Sequence, residues 1–107
     1  MKIVRVTYTT KPELVAQNIS HIRTVMKDLQ QLNPPGISYN ACLGADGKTF
    51  THLAFFKSEE DQHLLNGLPS FKLFQEQLRS GRPEVPPQQE LLTLVGSSTQ
   101  ILLTPEQ

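Results

Sequence analysis

The chain has no tryptophan, a single cysteine and no surplus charge of either sign, and each shortage closes off a class of function. Lysine plus arginine and aspartate plus glutamate both number 10 in 107 residues. Lys11, Arg23, Lys27, Lys57, Lys72, Arg79 and Arg82 are scattered among acids. No concentrated positive footprint therefore exists to displace counterions from a nucleic acid, and no nucleic-acid partner is expected. A lone thiol, Cys42, cannot close an internal disulfide and suits a reducing, cytoplasmic compartment. No apolar run approaches a membrane span, and the opening MKIVRVTYTT lacks the apolar centre of a signal peptide, so no membrane partner is expected.

What is present is periodic. Lys2 to Thr9 alternates like a strand, with Val4, Val6 and Tyr8 on one face and Ile3, Arg5 and Thr7 on the other. Thr10-Lys11-Pro12-Glu13 fits a capping box with proline in the first turn. Val15, Ile19, Ile22, Met26 and Leu29 then form one helical stripe, ended by Asn33-Pro34-Pro35-Gly36. Ile37–Leu43 and Thr49–Phe56 read as a hairpin around Gly44-Ala45-Asp46-Gly47-Lys48. A two-residue Asp46-Gly47 turn would set Ala41 opposite His52, and a three-residue loop with Gly47 as bulge would set Asn40 there. The bulge is preferred because it gathers Ser38, Asn40 and His52 on one face and Tyr39, Ala41, Leu53 and Phe55 on the other.

Ser58 caps a second helical region carrying Leu64 and Leu65 and stopped by Gly67. Pro69 opens a further helix with Phe71, Phe74 and Leu78 on one face, ended by Gly81. Arg82 to Pro87 reads as an extended connector and Leu91 to Val95 as the last strand. The division is one domain over 1–98 and a C-terminal tail over 99–107, whose Ile101-Leu102-Leu103 should dock on the sheet edge or a partner.

The βαββαβ order implies an α+β, ferredoxin-like fold: a four-stranded antiparallel sheet with helices on one face. Phe50 to Phe56 is apolar on both faces, so the face away from the helices should be covered by a second copy in a homodimer. The run THLAFFKSEED, then LPSFKLFQEQL, then a proline-bearing connector and LLTLVGSS resembles the dimeric α/β-barrel superfamily, within it the antibiotic-biosynthesis-monooxygenase-like domains. The resemblance extends to about Ser98. It implies a lumen between two facing sheets that takes small, often aromatic molecules, and oxygenation of such a quinol-like molecule without a bound cofactor. The alternative is a non-catalytic small-molecule-binding or structural dimer.

Haem-degrading relatives of that group carry an asparagine on the first strand, a tryptophan ending the third and a histidine in the second helical region. The matching positions here are Thr7, Phe56 and Gln75, so no haem is expected.

On the open face the ligand-binding candidates are Arg5, Asn40, His52 and Phe56. His52 leads as proton acceptor, Arg5 and Asn40 would be polar anchors, and Phe56 would stack a flat ring. The plainer reading makes His52 a seam residue and Phe50 and Phe56 seam packing. Cys42 and His52 lie diagonally with no orienting acid, which speaks against a nucleophilic dyad. His21 and His63 lack helical partners for a metal, so none is expected. The RNA-recognition domain shares the element order, but Lys48-Thr49-Phe50-Thr51-His52 lacks its glycines, and Val4 stands where its first strand needs an aromatic.

Overall fold

In a computed structural model of the protein, residues 1–102 are described. Four strands, β1 (Lys2–Thr9), β2 (Ile37–Leu43), β3 (Thr49–Phe56) and β4 (Val85–Leu92), form one antiparallel sheet in the order β2-β3-β1-β4. Helices α1 (Val15–Leu32), α2 (Glu59–Gly67) and α3 (Pro69–Ser80) cover one face. This is the ferredoxin-like arrangement the element order implies.

The two-residue period of β3 decides which face is which. Phe50, His52, Ala54 and Phe56 are all buried, while the residues between them are only partly so. The first set packs with Val4 and Tyr8 against Ile22, Val25 and Leu29 of α1 and Phe71 and Phe74 of α3. His52 therefore points toward the helices, not onto the open face expected from the sequence. Its pairing differs too: Ala41, not Asn40, is its partner on β2, and Val6 its partner on β1. The turn explains this register. Asp46 Oδ1 accepts from the amides of Lys48 and Thr49, Gly47 donates to the Gly44 carbonyl, and Gly47 takes φ 75°, so the loop closes without a bulge.

Two other local expectations are corrected. Thr10 does not cap a helix: its amide bonds to the Lys48 carbonyl at 3.0 Å, and Pro12–Leu14 make a short 3-10 turn ahead of α1. The last strand lies earlier than Leu91–Val95, beginning at Val85 and running through both prolines. Thr7 pairs with Gln88 and Thr9 with Val85, so Pro86 and Pro87 stand against the single residue Tyr8 in a bulge. An edge strand bonds on one side only, which is why two residues without amide donors fit there.

The second helical region starts as the sequence indicates. Ser58 Oγ accepts from the Asp61 amide, and Asp61 Oδ2 accepts from the Ser58 amide at 3.0 Å. A Cβ at Gly36 would overlap that Asp61 carboxylate, so the β2 entry packs directly on the cap. Gly36→Ala should therefore displace Asp61 and lower stability by about 1 kcal/mol, the usual worth of a cap. Combined with Ser58→Ala it should cost less than the sum of the two changes, because both remove the same interaction. Denaturant unfolding of the four proteins checks this, and strict additivity would disprove the shared cause.

Candidate functional site

A polar chain crosses the middle of the helix-side core. Tyr8 Oη lies 2.7 Å from Nε2 of His52, and Tyr39 Oη lies 2.6 Å from Nδ1 of the same ring. Asn18 Nδ2, from α1, donates to Tyr8 Oη at 2.9 Å. Tyr8 is 1% exposed and His52 4%. Residues from β1 and β2 thus converge on an imidazole of β3, and α1 is tied to it through Tyr8. Phe74 stacks on it with ring centroids 5.4 Å apart, and Phe71 meets Tyr39 edge-on at 6.0 Å.

Burial sets the protonation states. Removing the ring from water disfavours its cation, and the His52 pKa falls to about 4. Burial likewise raises Tyr8, an effect the Asn18 hydrogen bond only partly opposes, and it raises Tyr39, where Tyr8 adds to the shift. At neutral pH the chain is two phenols around an uncharged imidazole. A neutral imidazole donates through one nitrogen and accepts through the other, so the two phenols cannot play the same part.

Beside this chain lies a cavity of about 580 Å³ between the sheet and helices α2 and α3. His52, Tyr8 and Tyr39 reach it, with Phe56, Leu65, Phe71 and Phe74 among its apolar walls. Among the described residues, Arg79 is the one charged side chain in its lining. Gln75, Asn66 and Gln89 are exposed members of the same lining. The volume suits one small ring system. The space lies within a single chain, between sheet and helices, rather than between two sheets.

Of the four residues singled out from the sequence, His52 and Phe56 border this cavity. Arg5 and Asn40 do not: both are exposed on the opposite face, where Arg5 pairs with Glu90 and Asn40 with the Leu53 carbonyl. The alternation of β1 and β2 puts them there once Ala41 and Val6 flank His52. The residues missed are Tyr8, Tyr39 and Asn18. One signal could have found them, since Asn18 breaks the apolar stripe of α1 and a polar group in a core position needs a partner. Among the described residues no cluster of three or more histidine, cysteine, aspartate or glutamate side chains could hold a metal, and no helix is long and apolar enough to cross a membrane.

No family model matches the chain, and no curated protein matches it in sequence. Solved structures do match in fold. An antibiotic biosynthesis monooxygenase superposes with a TM-score of 0.76 at 13% identity, over 90% of this chain and 100% of that one. Rv0793 from Mycobacterium tuberculosis gives 0.75 at 14%, over 92% and 98%. SnoaB, a cofactor-independent oxygenase from Streptomyces nogalater, gives 0.67 at 13%, also over 92% and 98%. At these identities the likeness is one of fold.

The buried imidazole makes stability depend on pH. Between the ordinary histidine value of 6.5 and the folded value of about 4, the unfolded chain holds a proton that the folded chain does not. Stability from this group is therefore complete above the upper value and declines as pH falls toward the lower. From about pH 7 to about pH 5 the loss should be roughly 2 kcal/mol. Urea unfolding at both pH values checks it against His52→Gln, which should lose less over the same interval. An identical loss in the variant would assign the effect to other groups.

Proposed function

We propose that the helix-side cavity binds one small aromatic molecule of the hydroquinone type and oxygenates it with dioxygen, without a bound cofactor, in a homodimer. The observation that carries this is an apolar cavity of about 580 Å³ that ends on the Tyr39–His52–Tyr8 chain. Its aromatic walls suit a flat ring, and the chain supplies a polar end against which an oxygen substituent can be oriented. In the net reaction one atom of dioxygen forms a new carbon–oxygen bond on the ring. The other leaves as water with two protons, and the ring gives up four electrons to become a hydroxyquinone. The fold likeness to SnoaB supports the reading as an analogy.

His52 enters as a positioning residue. With a pKa of about 4 and both nitrogens hydrogen-bonded, it is a poor proton acceptor for a phenol, and its part is to hold Tyr39 at the cavity wall. The same feature favours a second reading, binding without turnover, because none of the described residues lining the cavity is a free base. Oxygen uptake with a panel of hydroquinones, read beside calorimetric binding, separates the two. Turnover that falls about tenfold or more in Tyr39→Phe supports catalysis. Binding without uptake selects the second reading, and neither binding nor uptake removes both.

The homodimer is proposed from the other face. Leu53, Phe55 and Leu92 lie there with no helix above them, beside the buried Ile3. A second sheet would cover them and bury about 800 Å² per partner. The tail is proposed to dock nearby: Leu102 is 6% exposed, while Leu103 lies outside the described residues. Phe50 and Phe56, which the sequence put on the seam, are in the helix-side core. Phe55→Arg should split the dimer while leaving the protomer folded, since it would place an unpaired charge in the seam. Light scattering checks this, and a wild-type monomer at micromolar concentration would refute the dimer.

A further inference from the structure

The polar chain is not symmetric. Tyr8 Oη already accepts from Asn18 Nδ2, and its own proton has one acceptor in reach, Nε2 of His52. If Nε2 carried the ring proton instead, then with the Asn18 amide turned as it is Tyr8 would accept twice, and its hydroxyl proton would be left without a partner in a site 1% exposed. An orphaned buried donor is strongly disfavoured. The favoured arrangement has Tyr8 donating to Nε2 and Nδ1–H donating to Tyr39 Oη. The Tyr39 proton is then the free end of the chain, and Tyr39 borders the cavity.

We propose that Asn18 sets the polarity of the Tyr8–His52–Tyr39 chain, so that Tyr39 donates into the cavity and the site selects a ligand oxygen that accepts, a ring carbonyl or a phenolate, over a phenol that must donate. This rests on the cavity being a ligand site. A neutral phenol could be accepted at Tyr39 only by reversing every bond back to Tyr8, which orphans the Tyr8 proton unless the Asn18 amide turns over to accept it. A hydroquinone that has lost a proton to solvent would be held as its anion, the more easily oxidised form, by a donor that needs no reorganisation. The amides of the lining can donate or accept and add no fixed preference, Arg79 favours a phenolate as well, and the imidazole, uncharged by burial, carries the order from one phenol to the other. Asn18 touches no ligand here and acts as a positioning residue.

The polarity can be read without any ligand. Two-bond proton–nitrogen NMR spectra of the wild-type His52 ring should show Nδ1 protonated and Nε2 bare, and the opposite tautomer would overturn the proposal. With ligands, the wild type should bind α-tetralone about tenfold more tightly than α-naphthol near neutral pH. Asn18→Asp supplies an acceptor for the Tyr8 proton and should reverse the chain, giving the Nε2-protonated ring and a preference for α-naphthol. Should that variant fail to fold, Tyr8→Phe removes the constraint, and the ratio of the two affinities should collapse toward one. An unchanged ratio in a folded variant would overturn the role of Asn18. If neither compound binds while the tautomer is as stated, the polarity stands and the ligand-site reading fails with its selectivity.

Discussion

A neutral imidazole held between two phenols is the constraint around which the helix-side core is arranged. His52 cannot be buried with either nitrogen unpaired, because a polar group removed from water without a partner costs as much as several apolar contacts contribute. Its partners come from both neighbouring strands, Tyr39 on β2 and Tyr8 on β1, and Tyr8 is in turn tied to Asn18 on α1. A slip of one residue in either strand pairing would turn a phenol to the other face and strand the ring. The chain therefore ties the register of three strands to the seat of a helix, and the aromatic packing of Phe50, Phe71 and Phe74 follows from that placement.

The same arrangement leaves room beside it. The buried strand residues of the core come from β3 and β1, with β2 partly buried beside them, but β4 carries its prolines and polar residues with almost no cover. The cavity lies toward that side, with Pro86, Pro87 and Gln89 of β4 in its lining. A bulge at the two prolines bends the edge strand at Tyr8, so the local break in pairing sits next to the polar chain. The apolar walls and the uncharged hydrogen-bond chain share one chemistry: they suit a flat molecule with an oxygen at one end.

Fold likeness and site chemistry carry different weight. The match to solved structures extends over most of the chain at 13 to 14% identity, which fixes the arrangement of strands and helices but no side-chain role. The proposed chemistry rests on what this chain itself brings to the cavity: two tyrosines, a histidine weakened as a base by burial, and an asparagine that orients them.

Local pattern was enough to determine the helices and the first three strands. The stripe of α1, the Ser58 and Asp61 cap, Pro69 opening α3 and the asparagine closing α1 at φ 48° are all set by residues within a few positions of one another. From these the βαββαβ order and the sheet with helices on one face followed. What only the tertiary structure decided was which face of β3 the helices cover, and hence whether His52 belongs with Arg5 and Asn40 or with Tyr8 and Tyr39. β3 is apolar on both faces, so its alternation could not choose. The choice came from pairing: the turn closed by Asp46 set Ala41 across from His52 and put Tyr39 on its face, while the β1–β3 pairing set Val6 across from His52 and put Tyr8 there. Strand limits at β4 were hidden for a related reason, because proline excludes a central strand but not an edge, and an edge is defined only once the other strands are in place.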